Sequence, residues 1–369
     1  MKALVTGAKG FLGKNLAVSL AQLTNTETYL YDLDTDAALL NAYAGECGFV
    51  FHLAGVNRPQ RTEEFKEGNR DFTLHLLDAL GRRQSRAPVL FASSIQAAAG
   101  SPYGQSKKAA EDAVFAYGQE QGVPVYVYRL PNVFGKWCRP NYNSVVATFC
   151  HNIARGLPIA VNDPGAKMQL VYVDDVVAEF LRAMEGKPNQ SGPYCSVEPV
   201  YQATVGTVAE WIGSFQSSRE SNTIPDLGDP FAKALYATYL SYLPEDGFIR
   251  PLKMNAGHRG SFTELFHTAD RGQFSVNVSK PGIVKGNHWH HTKHETFIVV
   301  SGRGVIRLRK VGETQVLSHL VSGDKLEAVD IPPGYTHSIE NLGSADMVTV
   351  IWASENFDPS RPDTYLLEV

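Results

Sequence analysis

Apolar positions fall in two different rhythms along the chain. Over the first two thirds, short apolar blocks alternate with stretches of helical period. Lys2–Thr6 is an apolar strand that runs into Gly7-Ala-Lys-Gly10-Phe11-Leu-Gly13, after which Leu12, Leu16, Leu20 and Leu23 share one helical face. Tyr29–Asp32 and Phe49–Leu53 read as the next strands. A helix follows from Asn69, with Phe72, Leu76, Leu77 and Leu80 on its apolar face. Pro88–Ala92 is a buried strand ending in Ser93-Ser94, and Val125–Arg129 is another, with a helix expected over 141–155. Strands alternating with helices predict a doubly wound, parallel α/β sheet. An amphipathic helix over Phe231–Leu243 is stopped by Pro244 and Gly247, which places a boundary near 245. Beyond it strands crowd together: Ser275–Val278, Glu295–Val300, Gly304–Arg309, Val316–Val321, Leu326–Ile331 and Met347–Trp352, with the final LLEV as an edge strand. That spacing predicts a small all-β barrel. The expected domains are therefore 1–245 and 246–369.

The first turn carries candidate chemistry. Glycines between a first strand and its helix let backbone N–H groups approach a pyrophosphate at the helix N-terminus. Asp32 ends the next strand about 20 residues on, where an acid meets a ribose diol. Farther along, Tyr103 and Lys107 are four apart, so on a helix they share a face. An ammonium there is expected to lower the phenol's pKa and suit Tyr103 to proton transfer. Ser94 is placed to hydrogen-bond the reacting oxygen, with Ser93 as the alternative hydroxyl.

Taken together, the G-x-x-G-x-x-G turn, His52-Leu53-Ala54-Gly55, the strand-end serines, Tyr103-x-x-x-Lys107, Arg129-Leu-Pro-Asn-Val-Phe-Gly135 and Tyr172-Val-Asp-Asp-Val resemble the extended short-chain dehydrogenase/reductases over about residues 1–240. The resemblance implies a Rossmann-type domain. Its catalytic residues would be Tyr103, Lys107 and Ser94. Its cofactor contacts would be Gly7, Lys9, Gly10, Phe11, Gly13, Asp32, Leu53, Ala54, Gly55, Tyr103, Lys107 and Arg129. The spacing departs from the family in one respect: only eight residues separate Ser94 from Tyr103. Lys136, Arg139 and Asn141–Asn143 form a polar stretch suited to a nucleotide sugar, or simply a solvated loop. No carboxylate follows Ser94 in Ile95-Gln96-Ala97, which argues against a dehydratase.

The second candidate site lies in GIVKGNHWHHTKHETFIVVSG, residues 282–302. His288 and His290 project from one face of a strand, and a bend returns Glu295 to them. Pro332-x-Gly334-x-x-His337-x-x-x-Asn341 supplies a further imidazole. Three imidazoles and a carboxylate suit Zn²⁺ and related divalent ions. The two spacings resemble the cupin superfamily, and Arg259-Gly260-x-Phe262-x-Glu264 resembles the opening of cupin-fold deoxysugar epimerases. The resemblance implies His288, His290, Glu295 and His337 as metal ligands, with His288 alternatively the base, as the matching histidine is in metal-free cupin epimerases. One Zn²⁺ per chain is expected.

Composition changes little in this picture. Hydrophobic content of 43%, charge of 20% and a formal net charge of −4 are ordinary for a globular chain and give no general attraction to nucleic acid or membrane. Cys47, Cys138, Cys150 and Cys195 show no pairing pattern, and the N-terminal apolar residues alternate with glycines rather than form a signal peptide. A cytoplasmic homodimer is expected. An extended reductase joined to a cupin resembles the bifunctional nucleotide-sugar enzymes of capsular polysaccharide synthesis. That implies C3 epimerisation of a UDP-2-acetamido-2,6-dideoxy-4-ketohexose in the cupin and C4 reduction with NADPH in the reductase. The alternative is a reductase alone, with the cupin as a metal-stabilised dimerisation or sugar-binding module. Asp32 would favour NADH by repelling a 2′-phosphate, whereas Lys9 would favour NADPH.

Overall fold

The structure is a computed structural model describing residues 1–369. The chain divides into two compact units, one of residues 1–213 with 228–244, the other of residues 214–227 with 245–369. In the first, β1 (Lys2–Thr6) leads through the glycine turn into α1 (Phe11–Ala21), β2 (Glu27–Tyr31), α2 (Ala37–Glu46) and β3 (Phe49–His52). A helical turn, α3 (Glu63–Phe65), and a π-helical stretch over Lys66–Asp71 precede α4 (Phe72–Arg82), β4 (Val89–Ser94), α5 (Pro102–Gln121) and β5 (Val125–Leu130). Then come β6 (Asn132–Phe134), α6 (Val145–Ile153), β7 (Lys167–Tyr172), α7 (Val173–Met184), β8 (Gln190–Ser191), β9 (Tyr194–Cys195), β10 (Tyr201–Thr204), α8 (Val205–Glu220) and α9 (Pro230–Leu240).

The main sheet runs β2-β1-β3-β4-β5-β9-β8, parallel throughout except for the β8/β9 hairpin. Its strands are continuous apolar runs because both faces are covered. Ala3, Val5, Phe51, Leu90 and Ala92 enter one core, while Leu4, Val50, Val89, Phe91 and Val127 enter the other. The strand order reverses at β1, which opens a crevice at the carboxyl ends of β1 and β3.

Element boundaries moved where local hydrogen bonds outweighed periodicity. α1 stops at Ala21, leaving Leu23 exposed outside it. The helix expected over 141–155 starts only at Val145, because Asn141 takes a left-handed φ of 53° and Ser144 Oγ accepts the Ala147 N–H at 3.2 Å. Asn69 does not begin α4. It is buried in the preceding π-helical stretch, where its amide accepts from Val56 N and donates to Ser106 Oγ.

In the second unit β11 (Met254–Gly257), β12 (Gly260–His267), β13 (Gln273–Ser279), β14 (Val284–Trp289), β15 (Glu295–Ser301), β16 (Arg303–Lys310), β17 (Val316–Ser322), β18 (Ala328–Ile331), β19 (Tyr335–Asn341), β20 (Met347–Ala353) and β21 (Tyr365–Leu366) form two antiparallel sheets. Their orders are β11-β12-β13-β20-β15-β18 and β17-β16-β19-β14-β21. Phe297, Val299, Ile306, Leu308, Ile339 and Met347 fill the core, each contributing roughly 1.5–3 kcal/mol by burial. The tail does supply an edge strand, β21, which pairs with β14, but it lies at Tyr365–Leu366 and takes in only Leu366 of the expected LLEV. Leu326 lies outside β18 and is exposed.

His52 is fully buried on β3, with Nδ1 2.7 Å from Thr6 Oγ1 and Nε2 2.8 Å from Thr73 Oγ1. Burial, with a smaller contribution from the Lys107 charge, pushes its pKa down to about 3. The folded protein therefore holds this ring neutral where the unfolded chain protonates it. Stability should fall by roughly 1.4 kcal/mol per pH unit as pH drops below about 6.5. Urea unfolding of the first unit at pH 5 and pH 7 should show that loss, and His52→Gln should flatten it. An imidazole resonance titrating near its ordinary value would overturn the assignment.

Candidate active site and candidate metal centre

A cleft of about 710 Å³ opens at the carboxyl ends of β1, β3, β4 and β5. Gly7, Lys9, Gly10, Phe11 and Gly13 line one wall. Gly7 has φ +68°, and a Cβ on it would lie 2.7 Å from Ala54 N, so the β1–α1 turn needs glycine twice over. A Cβ on Gly13 would lie 2.1 Å from the Gly7 carbonyl oxygen. The turn is thus packed directly on α1, whose first residues, Phe11 to Gly13, line the cleft, where a helix N-terminus suits an anionic group. Leu53 and Gly55 line the cleft after β3. Asp32 and Ala54 stand behind the turn. Asp32 Oδ2 accepts the Lys9 N–H at 2.7 Å, Ala54 N–H donates to Thr6 Oγ1 at 3.4 Å, and the Lys9 ammonium pairs with Asp34.

Ser94, Tyr103 and Lys107 meet across the same cleft. The short Ser94–Tyr103 connection is closed by a 3₁₀ turn over Ile95–Ala98. Ser94 Oγ accepts from Gln96 N at one end of it, and Ser101 Oγ caps α5 through Gly104 N beyond the other. Gly104 makes this possible: a Cβ there would lie 2.2 Å from the Gln96 carbonyl oxygen. Lys107 is 5% exposed, donates to the Ala92 carbonyl at 2.8 Å and lies 4.6 Å from the Phe91 ring centroid. Burial pushes its pKa down to about 8, partly offset by Glu111. The expected lowering of the Tyr103 pKa by Lys107 is corrected here. Burial pushes the phenol up, a hydrogen bond from Ser94 works against that, and the ammonium is engaged with Ala92. Ser93 also lines the cleft but its hydroxyl donates to Glu111 Oε1 at 2.6 Å, whereas Ser94 hydrogen-bonds the Tyr103 phenol.

The structure does not bring Arg129 to the cleft. Its guanidinium forks onto Glu111, with Nε 2.9 Å from Oε1 and Nη2 2.7 Å from Oε2, and stacks 4.0 Å over Tyr194. The physical reason is Glu111, fully buried one turn beyond Lys107 and in need of a counter-charge. Sequence reasoning passed over Glu111. Its spacing of four from Lys107 was the available signal.

In the second unit, His288, His290, Glu295 and His337 present ligand atoms that all lie within 4.8 Å of one another. The β14 bulge at Asn287, with φ +58°, sets His288 directly opposite His337 on β19. Glu295 Oε2 lies 3.5 Å from His290 Nε2 and 3.2 Å from His337 Nε2. A tetrahedral ion with bonds of about 2.05 Å has ligand–ligand edges of roughly 3.3 Å. His290 Nε2, His337 Nε2 and Glu295 Oε2 are buried and make no hydrogen bond. Three orphaned donors at that spacing fit a divalent ion. His290 Nδ1 lies 2.5 Å from the Asp363 carbonyl oxygen, which sets the tautomer with Nε2 bare. The Asp363 carboxylate also accepts the N–H groups of His291, Thr292 and Lys293 at 2.9–3.0 Å, and those bonds hold its pKa well below the carboxylate range. Asp363 was missed from sequence because it stands in an irregular tail with no periodic signal.

A parallel sheet with a glycine-walled cleft carrying serine, tyrosine and lysine defines a nicotinamide-dependent enzyme of the short-chain dehydrogenase/reductase class, here joined to a cupin-like β unit. The chain belongs to the NAD dependent epimerase/dehydratase family, whose profile matches residues 3–194. The polysaccharide biosynthesis C-terminal domain matches residues 255–365. The chain is 46% identical over 369 residues to a UDP-2-acetamido-2,6-beta-L-arabino-hexul-4-ose reductase of Pseudomonas aeruginosa, covering 100% of this chain and 99% of that one. It is similar to the capsular polysaccharide assembling protein CapF of Staphylococcus aureus, with 51% identity, a TM-score of 0.95 and full coverage of both chains. A structure of CapF with the inhibitor 3-isopropenyl-tropolone matches at 48% identity, a TM-score of 0.90 and full coverage of both chains. No helix is long and apolar enough to cross a membrane, and all four cysteines are buried and free.

Arg129→Met strands the buried Glu111 carboxylate and should destabilise the first unit by about 3–5 kcal/mol. Adding Glu111→Gln should recover most of that loss, with nicotinamide nucleotide affinity kept within about threefold of wild type. Thermal unfolding and fluorescence titration measure the two effects. A tenfold or larger loss of affinity in the double variant, about 1.4 kcal/mol, would return Arg129 to the cofactor site.

Proposed function

We propose that this protein acts twice on a UDP-2-acetamido-2,6-dideoxy-4-ketohexose. The second unit inverts C3, and the first reduces the C4 ketone with NADPH. The product is the UDP-2-acetamido-2,6-dideoxy-L-talose derivative that leads to UDP-N-acetyl-L-fucosamine and capsular polysaccharide. The observation that carries this reading is the pairing, on one chain, of a Ser94–Tyr103–Lys107 cleft with a four-ligand histidine–carboxylate cluster. Its end-to-end similarity to the Pseudomonas reductase and to CapF supports the substrate class.

The chemistry sets the order. A proton α to a ketone is acidic enough for a positioned base to remove, and its return on the opposite face inverts the centre. Reduction destroys that ketone, so epimerisation comes first. In the first unit, bound NADPH supplies the hydride for C4. The rest falls to the protein. Burial keeps the Tyr103 phenol protonated near neutral pH, so it is a donor to the alkoxide forming at O4. Ser94 hydrogen-bonds that oxygen, and the Lys107 ammonium adds positive charge on the same helical face.

Lys9 supports NADPH, since a 2′-phosphate can compete with Asp34 for its exposed ammonium. Asp32 already accepts N–H groups from Lys9 and Leu33, which reduces its repulsion of that phosphate. In the second unit, His288, His290, Glu295 and His337 would hold one Zn²⁺, which would supply a structural tie between the strands or polarise the ketone oxygen. Four protein ligands close the coordination sphere. That feature favours the second reading, a cupin that is a metal-stabilised module beside a single reductase.

One experiment separates the readings: the ketosugar is incubated in D₂O without nicotinamide, and deuterium is sought at C3. Incorporation is expected, and its absence would leave reductase activity alone. Tyr103→Phe should abolish NADPH oxidation and preserve this exchange; loss of both together would refute independent sites. In an assay of ketosugar reduction, a kcat/KM for NADH about tenfold above that for NADPH would reverse the cofactor assignment.

Chelation, or His290→Ala, should lower the melting temperature of the second unit and suppress C3 exchange, because metal binding energy is folding energy for a small barrel. The first unit should keep its own transition and its nicotinamide binding. Metal-free protein exchanging C3 at full rate would remove the metal from the mechanism.

A further inference from the structure

One side chain of the cleft is held in a backbone conformation that its own chemistry disfavours. Trp137 has φ +68°, a left-handed value that bulky L-residues rarely adopt. Its neighbours are fixed. Asn15 Nδ2 donates to the Lys136 carbonyl at 3.3 Å, and the Tyr242 hydroxyl donates to the carbonyls of Cys138 and Gly135. A Cβ on Gly135 would lie 2.3 Å from Val173 Cγ1, so the approach to Trp137 is rigid as well. The surroundings thus over-determine a strained residue, a pattern found at ligand-holding positions. The strain is not repaid by packing: the indole lines the cleft, is 48% exposed and makes no hydrogen bond within the protein. Its one ring contact is the Lys136 ammonium, 5.5 Å from the centroid.

We infer that Trp137 is a specificity-determining wall of the cleft, packing its indole face against the sugar ring of the ketosugar. The inference rests on the function proposed above and assigns a residue within it. Position along the cleft favours the sugar over the base. The loop bearing Trp137 is tied through Lys136 to Asn15, two residues beyond Gly13 and beside the glycine turn. The same segment continues β5, whose last residue Leu130 pairs in register with Ser94, so it also borders the hydroxyl and phenol at which the ketone would sit. A 6-deoxy, 4-keto pyranose also offers an apolar face with few hydroxyls, which suits an aromatic surface. Farther along, Arg139, stacked 5.1 Å over Tyr142, and the α6 N-terminus capped by Ser144 line the cleft with the positive potential a diphosphate needs.

The test uses the full chain with Trp137→Ala, Trp137→Gly and Trp137→Phe. The alanine and glycine variants should raise KM for the ketosugar by about tenfold or more, and phenylalanine by about threefold, with KM for NADPH and competitive inhibition by UDP unchanged. Glycine accepts the left-handed backbone, so Trp137→Gly should melt no lower than wild type while still losing the sugar. That combination separates a ligand wall from a packing residue. An unchanged ketosugar KM with a lowered melting temperature would make the ring structural and overturn the inference. An equal loss of UDP affinity would place the ring on the nucleotide, and a raised KM for NADPH would place it on the cofactor; either overturns it. Wild-type protein that fails to reduce the ketosugar overturns the parent reading and this inference with it, whereas active wild type with unaltered variants defeats the inference alone.

Discussion

The first unit is arranged around a buried ammonium. Lys107 is withdrawn from water beneath the cleft, and an isolated charge in that environment would be prohibitive. Three features offset it: the Ala92 carbonyl accepts one N–H, the Phe91 ring lies beneath it, and Glu111 stands one turn along α5. Glu111 in turn requires Arg129 and Ser93. The chain of dependence crosses from α5 to β4, β5 and β9, so the charge that serves the cleft also joins the strands that form it. His52 remains neutral within the same field. Glu111 thus stands between two cations, Lys107 on its own helix and Arg129 on β5.

Much of this was legible because it depended on period and spacing. The apolar runs of β1, β3 and β4 could be read since a parallel sheet buried on both faces has no polar alternation. His288, His290, Glu295 and His337 could be read because strand geometry converts a spacing of two into a shared face. What escaped depended on partners distant in sequence. Arg129 stands at a motif position, yet its direction is set by Glu111, and nothing local announces that pairing. The short Ser94–Tyr103 gap looked anomalous until Gly104 proved to admit the Gln96 carbonyl at close range. The pKa of Tyr103 was read with the wrong sign because helical spacing gives proximity and says nothing of burial.

The two sites solve opposite electrostatic problems. The cleft holds a buried ammonium, Lys107, in its lining. The cluster in the second unit gathers imidazoles and a carboxylate with bare, buried ligand atoms, a set that suits a cation among them. Burial and the neighbouring His337 press His288 to a pKa of about 4, which leaves its ring neutral and available as a ligand.

The Asp363 clamp has a consequence for the order in which the protein is made. Chains emerge from the ribosome N-terminus first. His290 appears 73 residues ahead of the carbonyl that fixes its tautomer, and the turn at 291–293 precedes its carboxylate partner by a similar distance. During synthesis the ligand loop is therefore present without its support for the whole interval in which β15 to β20 are being added. The Asp363 clamp on the histidine loop can therefore close only after β15 to β20 have been made.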